Sequence, residues 1–305
     1  MRLFRPRPSL FAAVAAAAGS GLDRVRALIE LGDLAEAERE LAAIDVAAPG
    51  ATVVRAGLDF ARGDLLGARR RLETSAPEAV RERALVLGAL GRIEQAIDLL
   101  GLSEDPYHAL VRSELHAAAG EPAAASVGLP TALPGAAPGP LGEGEAARDA
   151  ARLALVAGTI ATERGDAAVA VEQLGRAREL AQRAGSATLV ARAESLLGEA
   201  LADSRSRWRA LRAVTRALDL VVAGRVAAPA LPGIHFRAFE VYGMYGHEAL
   251  ARSAMSTGHH LVIQLASGID ERAWRETFLI DNRDCQRLVA AFKGEISWGS
   301  EVARG

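Results

Sequence analysis

A glycine followed five residues later by an alanine recurs along this chain, each time between two apolar stretches with helical periodicity. The pairs are Gly32/Ala37, Gly63/Ala68, Gly91/Ala96, Gly120/Ala125, Gly165/Ala170 and Gly246/Ala251. Glycine readily takes the left-handed conformation that ends a helix. A small residue one turn into the next helix then lets two antiparallel helices approach closely. The pattern therefore reads as a helical hairpin used repeatedly. Single hairpins cannot bury their apolar faces alone, so they stack. The predicted fold is all-α, an α-solenoid, and solenoids are in the main binding surfaces.

The first four turn glycines are separated by 31, 28 and 29 residues, and the candidate hairpins cover residues 23–44, 53–74, 80–100 and 107–127. The stretch 128–144 then brings Pro130, Pro134, Pro138 and Pro140 together with five glycines. Proline removes backbone donors and glycine raises the cost of ordering, so this stretch reads as a loop without regular structure between two halves. In the second half the register lengthens. Gly158 and Gly198, Ala170 and Ala210, and Ala177 and Ala217 are each 40 apart, and Ala251 follows Ala210 by 41. The glycines fall mid-way along first helices, where two helices touch, and the alanines on one face of second helices. A second break at 229–233 precedes the last hairpin. The expected organisation is an N-terminal segment 1–20, a first half 21–127, a linker 128–147, a second half with capping helices 148–293, and a tail 294–305. In the N-terminal segment, Arg2, Arg5 and Arg7 precede an apolar run from Leu10 to Ala18. That run reads either as a secretory leader or as the second helix of a truncated hairpin.

Composition narrows the function. Apolar residues make up 50% of the chain, yet aromatics only 4%, which suits many closely packed thin helices. The formal net charge is −2, so no bulk attraction to nucleic acid or membrane is expected. The single cysteine, Cys285, rules out an internal disulfide and reads as a buried thiol. No stretch suits a membrane span. No Gly-x-Ser-x-Gly elbow or His-Glu-x-x-His occurs, and Lys293, the only lysine, is followed by Gly294 rather than closing a phosphate-binding loop. No catalysis, cofactor or metal site is expected. His247, His259 and His260 form no ligand set, because adjacent histidines on a helix point about 100° apart.

Residues 151–177, with Gly158, Gly165-Asp166, Ala170 and Ala177, resemble a tetratricopeptide repeat. The next unit departs, with Asp203-Ser204-Arg205 where Gly-Asp belongs. The run from Glu271 to Leu279, Asp281-Asn282-Arg283 and the final apolar helix to Phe292 resemble the closing segment of bacterial ATPase-tetratricopeptide and kinase-ATPase-tetratricopeptide regulators. The resemblance implies a concave groove lined by first helices. Its positions map onto Arg152, Thr159, Thr162 and Glu163, then Arg192, Ser195, Glu199 and Asp203, then Phe236 and Glu240. Stacked one repeat apart, they form a polar ladder for a protein or peptide segment. Reversing Glu199 and Glu240 to Arg is expected to abolish binding and leave the fold intact.

Phe236, Phe239, Tyr242 and Tyr245 are the one aromatic cluster, read as core of the last hairpin, with Phe236 as the alternative partner anchor. Trp274 and Phe278 cap the solenoid end, Trp298 lies in the tail, and the Arg69-Arg70-Arg71 run is a solvated face. The function expected is a non-catalytic interaction scaffold in the cytoplasm. The alternatives are an effector-sensing arm working with a separate ATPase, kinase or DNA-binding protein, and a secreted or periplasmic assembly protein.

Overall fold

The computed structural model describes residues 9–16, 21–73, 79–134 and 140–296. The helices follow one another as antiparallel hairpins, and no strand occurs among the described residues. A short α1 (Leu10–Ala16) leads into α2 (Gly21–Leu31) and α3 (Leu34–Ala42), α4 (Ala51–Arg62) and α5 (Leu65–Glu73), α6 (Val80–Ala89) and α7 (Ile93–Leu100), and α8 (Pro106–Ala119) and α9 (Pro122–Val127). The second half is built from α10 (Pro140–Glu163) and α11 (Ala167–Ala184), α12 (Ala187–Asp203) and α13 (Arg207–Val222), and α14 (Leu231–Met244) and α15 (Glu248–Ser267). A last pair, α16 (Arg272–Ile280) and α17 (Arg283–Phe292), closes the chain. No described helix is long and apolar enough to cross a membrane.

The glycine-alanine spacing has a single geometric cause. At each turn the residue after the glycine sends its N–H back to a carbonyl five residues earlier. Examples are Asp33 N to Leu28 O and Asp166 N to Ala161 O, both 2.9 Å. This is the Schellman closure, which requires a left-handed residue just past the helix end. The carbonyl of that same residue then starts the next helix by accepting from the alanine N–H, as Asp33 O does from Ala37 and Asp166 O from Ala170. The alanine thus stands at the first place on the second helix that faces the first. Ala37, Ala68, Ala96, Ala125, Ala170, Ala210 and Ala251 are all 0% exposed.

The turn that lacks glycine obeys the same geometry. Arg205 holds φ at 56°, the one non-glycine residue with positive φ among those described, and Ser206 N closes on Leu201 O at 2.8 Å. Mid-helix glycines act as inferred. A Cβ on Gly158 would fall 2.6 Å from Leu174 Cγ, and one on Gly198 2.6 Å from Val214 Cγ1.

Two expectations need correction. The stretch 128–144 is not irregular throughout, because α10 begins at Pro140 and carries Gly142 and Gly144 in its first turns. Proline at the first helical position loses a donor that has no partner there anyway. Residues 135–139 lie outside the described residues. Likewise Leu231, Pro232 and Gly233 are the first turn of α14 rather than part of a break. The end of the N-terminal apolar run at Ala17-Ala18, the tail from 297 onward and Trp298 also fall outside the described residues.

The solenoid does not run straight. Its first-half turns lie against the second half. Gly32 abuts the Arg225 backbone, Gly63 meets Leu265 and Ala228, Gly91 meets Thr277 and Asn282, and Gly120 meets the Arg283 guanidinium. Arg225 Nε donates to Leu31 O at 2.8 Å, and Asn282 Nδ2 to Ala89 O at 3.0 Å. One core cluster accordingly runs from Leu65, Leu72 and Leu90 through Leu174 and Leu197 to Phe278 and Leu288.

Of the Arg69-Arg70-Arg71 run, Arg70 and Arg71 are exposed as expected, while Arg69 and Arg70 also reach across this seam. Arg69 and Arg92 lie over the Trp274 ring at 4.2 and 5.0 Å, Arg70 pairs with Asp270 at 3.2 Å, and Arg71 pairs with Asp59 at 2.5 Å. Trp274 is therefore clamped by the first half, while Phe278 is buried at 1% exposure.

Candidate interior binding cavity

The coil encloses a cavity of about 1310 Å³ between the two halves. Its walls come mainly from the first helix of each hairpin, namely α2, α4, α6, α8, α10, α12 and α14, with α17 at one end and Phe11 of α1, Leu72 of α5 and Ile93 of α7 touching it. Among the described residues, α3, α9, α11, α13 and α15 contribute nothing to it. Stacked hairpins keep their first helices on the inside of the curve, and this chain does so.

The floor is apolar, with Ile29, Val54, Phe60, Leu85, Leu155 and Leu196 among its residues. Arginines and carboxylates line it in equal number, so the lining has no net charge. Most of these charges are paired across hairpins. Glu114 of α8 accepts from two helices of the other half: Arg152 Nη2 donates to Oε2 at 2.6 Å and Arg192 Nη1 to Oε1 at 2.9 Å. Burial alone would raise the Glu114 carboxyl, but the two guanidiniums outweigh it and bring the group down to about 2. Arg148 joins Glu30 of α2 at 3.2 Å and Asp149 at 3.1 Å. Ser186 Oγ donates to the other Glu30 oxygen at 2.6 Å. At the far end Arg283 meets Glu163 at 2.5 Å.

The groove positions mapped from the sequence separate into two sets. Arg152, Thr159, Glu163, Arg192 and Ser195 line the cavity. The Thr159 hydroxyl donates within its own helix to Leu155 O at 2.9 Å, and the Ser195 hydroxyl to Arg192 O. The neighbouring Thr162 hydroxyl likewise turns to Gly158 O at 3.0 Å and is off the cavity.

Glu199, Asp203, Phe236 and Glu240 also lie off the cavity. Glu199 accepts from Arg237 Nε at 3.1 Å, and Glu240 pairs with Arg287 at 3.8 Å, its side chain only 12% exposed. Phe236 is fully buried, with the Arg287 guanidinium 4.2 Å over its ring, so it is core and not an exposed anchor. Asp203 stands at the end of α12, where loss of hydration and the Glu199 charge push its carboxyl up to about 6. The expected Glu199/Glu240 reversal would set new cations against Arg237 and Arg287, so it would damage packing before it reported on binding.

Several lining groups were not singled out from the sequence: Glu30, Glu114, Arg148, Asp149, Arg237 and Arg283. Arg148 and Arg152 do carry a legible signal, being four apart on one helical face. Glu114 carries none, since its partners come from two later hairpins.

No family model and no curated protein matches the chain. Among solved structures, the crystal structure of a Rap protein complexed with Competence and Sporulation Factor is similar over 90% of this chain and 98% of its own. The identity is 10% and the TM-score 0.46. That similarity adds nothing to the chemistry of the site.

The remaining sequence candidates are absorbed by packing. His259 stacks on Phe292 with centroids 3.8 Å apart, and the His247 ring stands edge-on to Tyr242. No group of three metal-type ligands occurs among the described residues. Cys285 is buried, and burial, with Asp284 beside it, pushes its thiol well up.

Proposed function

We propose that the chain is a non-catalytic binding protein that takes a peptide segment of a partner into its interior cavity. The carrying observation is the cavity itself, which exceeds the roughly 300–1,000 Å³ typical of drug-sized ligand sites. Its apolar floor and neutral, mixed-charge rim suit a short chain with apolar side chains and both signs of charge. Backbone amides and termini would exchange with the existing ion pairs instead of meeting a single-sign field. No nucleic-acid contact, cofactor or catalytic role is assigned.

A second reading, an effector-sensing arm of a signalling or transcription regulator, draws on one further observation. The pairs that line the cavity also join the halves, as Glu114 does with Arg152 and Arg192. A ligand that competes for them acts on the seam, which gives occupancy a route to shape.

The test is a mixed-sequence peptide pool of five to twelve residues, passed over the immobilised chain and over Thr159→Trp, which intrudes into the cavity from a partly buried lining position. Peptides retained by the parent chain and lost with Thr159→Trp support the reading. A pool that binds neither chain, or both alike, rejects it.

A further inference from the structure

A second surface on the molecule is built for contact and is used by nothing in the fold. It is the outer face of α13. Arg209, Arg212 and Arg216 recur there at helical spacing, Arg205 stands in the turn just before the helix, and Trp208 sits among them with 76% of its surface exposed. Arg216 is partnered by Glu194 at 3.0 Å. Arg205, Arg209 and Arg212 have no carboxylate partner among the described residues. The Arg207 guanidinium lies 5.8 Å from the Trp208 ring and 5.7 Å from the Tyr245 ring and donates to Tyr245 O. Val169 and Leu250, 42% and 50% exposed, stand in the first turn of α11 and α15 as Trp208 does in α13. In the register that aligns Ala170, Ala210 and Ala251 they correspond to Arg209, one residue beyond Trp208.

We infer that this face docks an acidic segment of a partner protein, with Trp208 as its apolar anchor and Arg205, Arg209 and Arg212 meeting its carboxylates. Tryptophan and arginine are residue types that dominate binding hot spots. Charge argues for a protein segment over a phosphate backbone. The cationic stripe is one helix wide, and from Arg209 to Arg216 it spans about 10 Å at 1.5 Å per residue. The outer faces of the adjoining hairpins are mixed in charge, with Glu179 beside Arg178 and Glu248 paired to Arg252, so no continuous cationic surface extends past α13 for a polyanion to follow. The site lies on the convex side, apart from the interior cavity, and stands or falls independently of the cavity reading.

A displayed library of random 15-residue peptides, selected on the chain and depleted on Trp208→Ala, tests this. Trp208 is exposed, so the variant should keep its helical circular dichroism and melting temperature, and that is checked first. The expected result is enrichment of sequences combining Asp or Glu with Leu, Ile or Phe. Synthetic copies should bind at least tenfold more weakly to Arg209→Glu/Arg212→Glu, lose affinity as salt rises, and bind Thr159→Trp as they bind the parent. The proposal is overturned if no sequence distinguishes the parent from Trp208→Ala, or if those that do carry no acidic bias. It is also overturned if a twenty-residue oligothymidine or vesicles of anionic lipid bind the face in a Trp208-dependent way while the selected peptides do not.

Discussion

The turn glycines of the two halves look alike in sequence and do different work. In the first half Gly32 and Gly91 sit against the backbone of the second half, at Arg225 and at Thr277, while in the second half Gly165 and Gly246 have open space where a Cβ would go. All four have positive φ, between 75° and 83°. Local hydrogen bonding accounts for all of them, and tertiary contact for the first pair alone. Helix length gives the reason. The helices α2 to α7 have 8 to 12 residues, whereas α10 to α15 have 14 to 24. Helices shorter than about 12–15 residues are marginal on their own. The first half therefore leans its turns on the second, and the space left between them is the cavity.

The largest test of this contrast removes the deepest ion pair of the seam. Glu114→Ala should cost about 3–5 kcal/mol in urea unfolding, because Arg152 and Arg192 are left facing each other partly buried. A loss below 1 kcal/mol would mean that the halves do not depend on it.

The glycines sharpen the comparison directly. Gly32→Ala should lose about 1–2 kcal/mol for its left-handed backbone and a further 1–3 kcal/mol for overlap with Arg225. Gly246→Ala should lose the conformational part alone. Equal losses would show that the seam adapts and that the distinction drawn here is false.

Acid titration separates the seam from the turns by sign. The folded-state carboxyl of Glu114 lies near 2, below its ordinary 4.5. Its contribution is therefore complete above pH 4.5 and drains away as pH falls toward 2. Glu114→Gln should flatten that acid limb.

Asp203, at the α12–α13 turn, behaves oppositely. Its carboxyl is raised from 3.8 to about 6, so ionisation works against folding, and stability from this group falls as pH rises from 3.8 through 6. Asp203→Asn should raise the melting temperature slightly at pH 7 and leave it unchanged below pH 4. A variant less stable at pH 7 would remove the carboxylate at this turn from the argument.

Much of the fold was legible because its cause is local. The expected hairpins 80–100 and 107–127 match α6–α7 and α8–α9 closely, since glycine closure and alanine contact act within six residues. The site was legible in part. The tetratricopeptide resemblance placed Arg152, Thr159, Glu163, Arg192 and Ser195 on the inner face, and they line the cavity. Phe236 and Glu240 were mapped to the same face and lie off the cavity, because the α16–α17 pair folds over that end and sets Arg287 against both.

What the sequence determined by itself is the hairpin, its turn and the small residues at which its two helices touch. These follow from backbone hydrogen bonds and side-chain spacing over one or two helical turns. What only the tertiary structure decided is what each inward face meets. Arg152 and Arg192 find Glu114 across 38 and 78 residues, and Arg283 finds Glu163 across 120. Periodicity specifies direction from a helix axis, and a partner at that separation is set by how the whole coil closes.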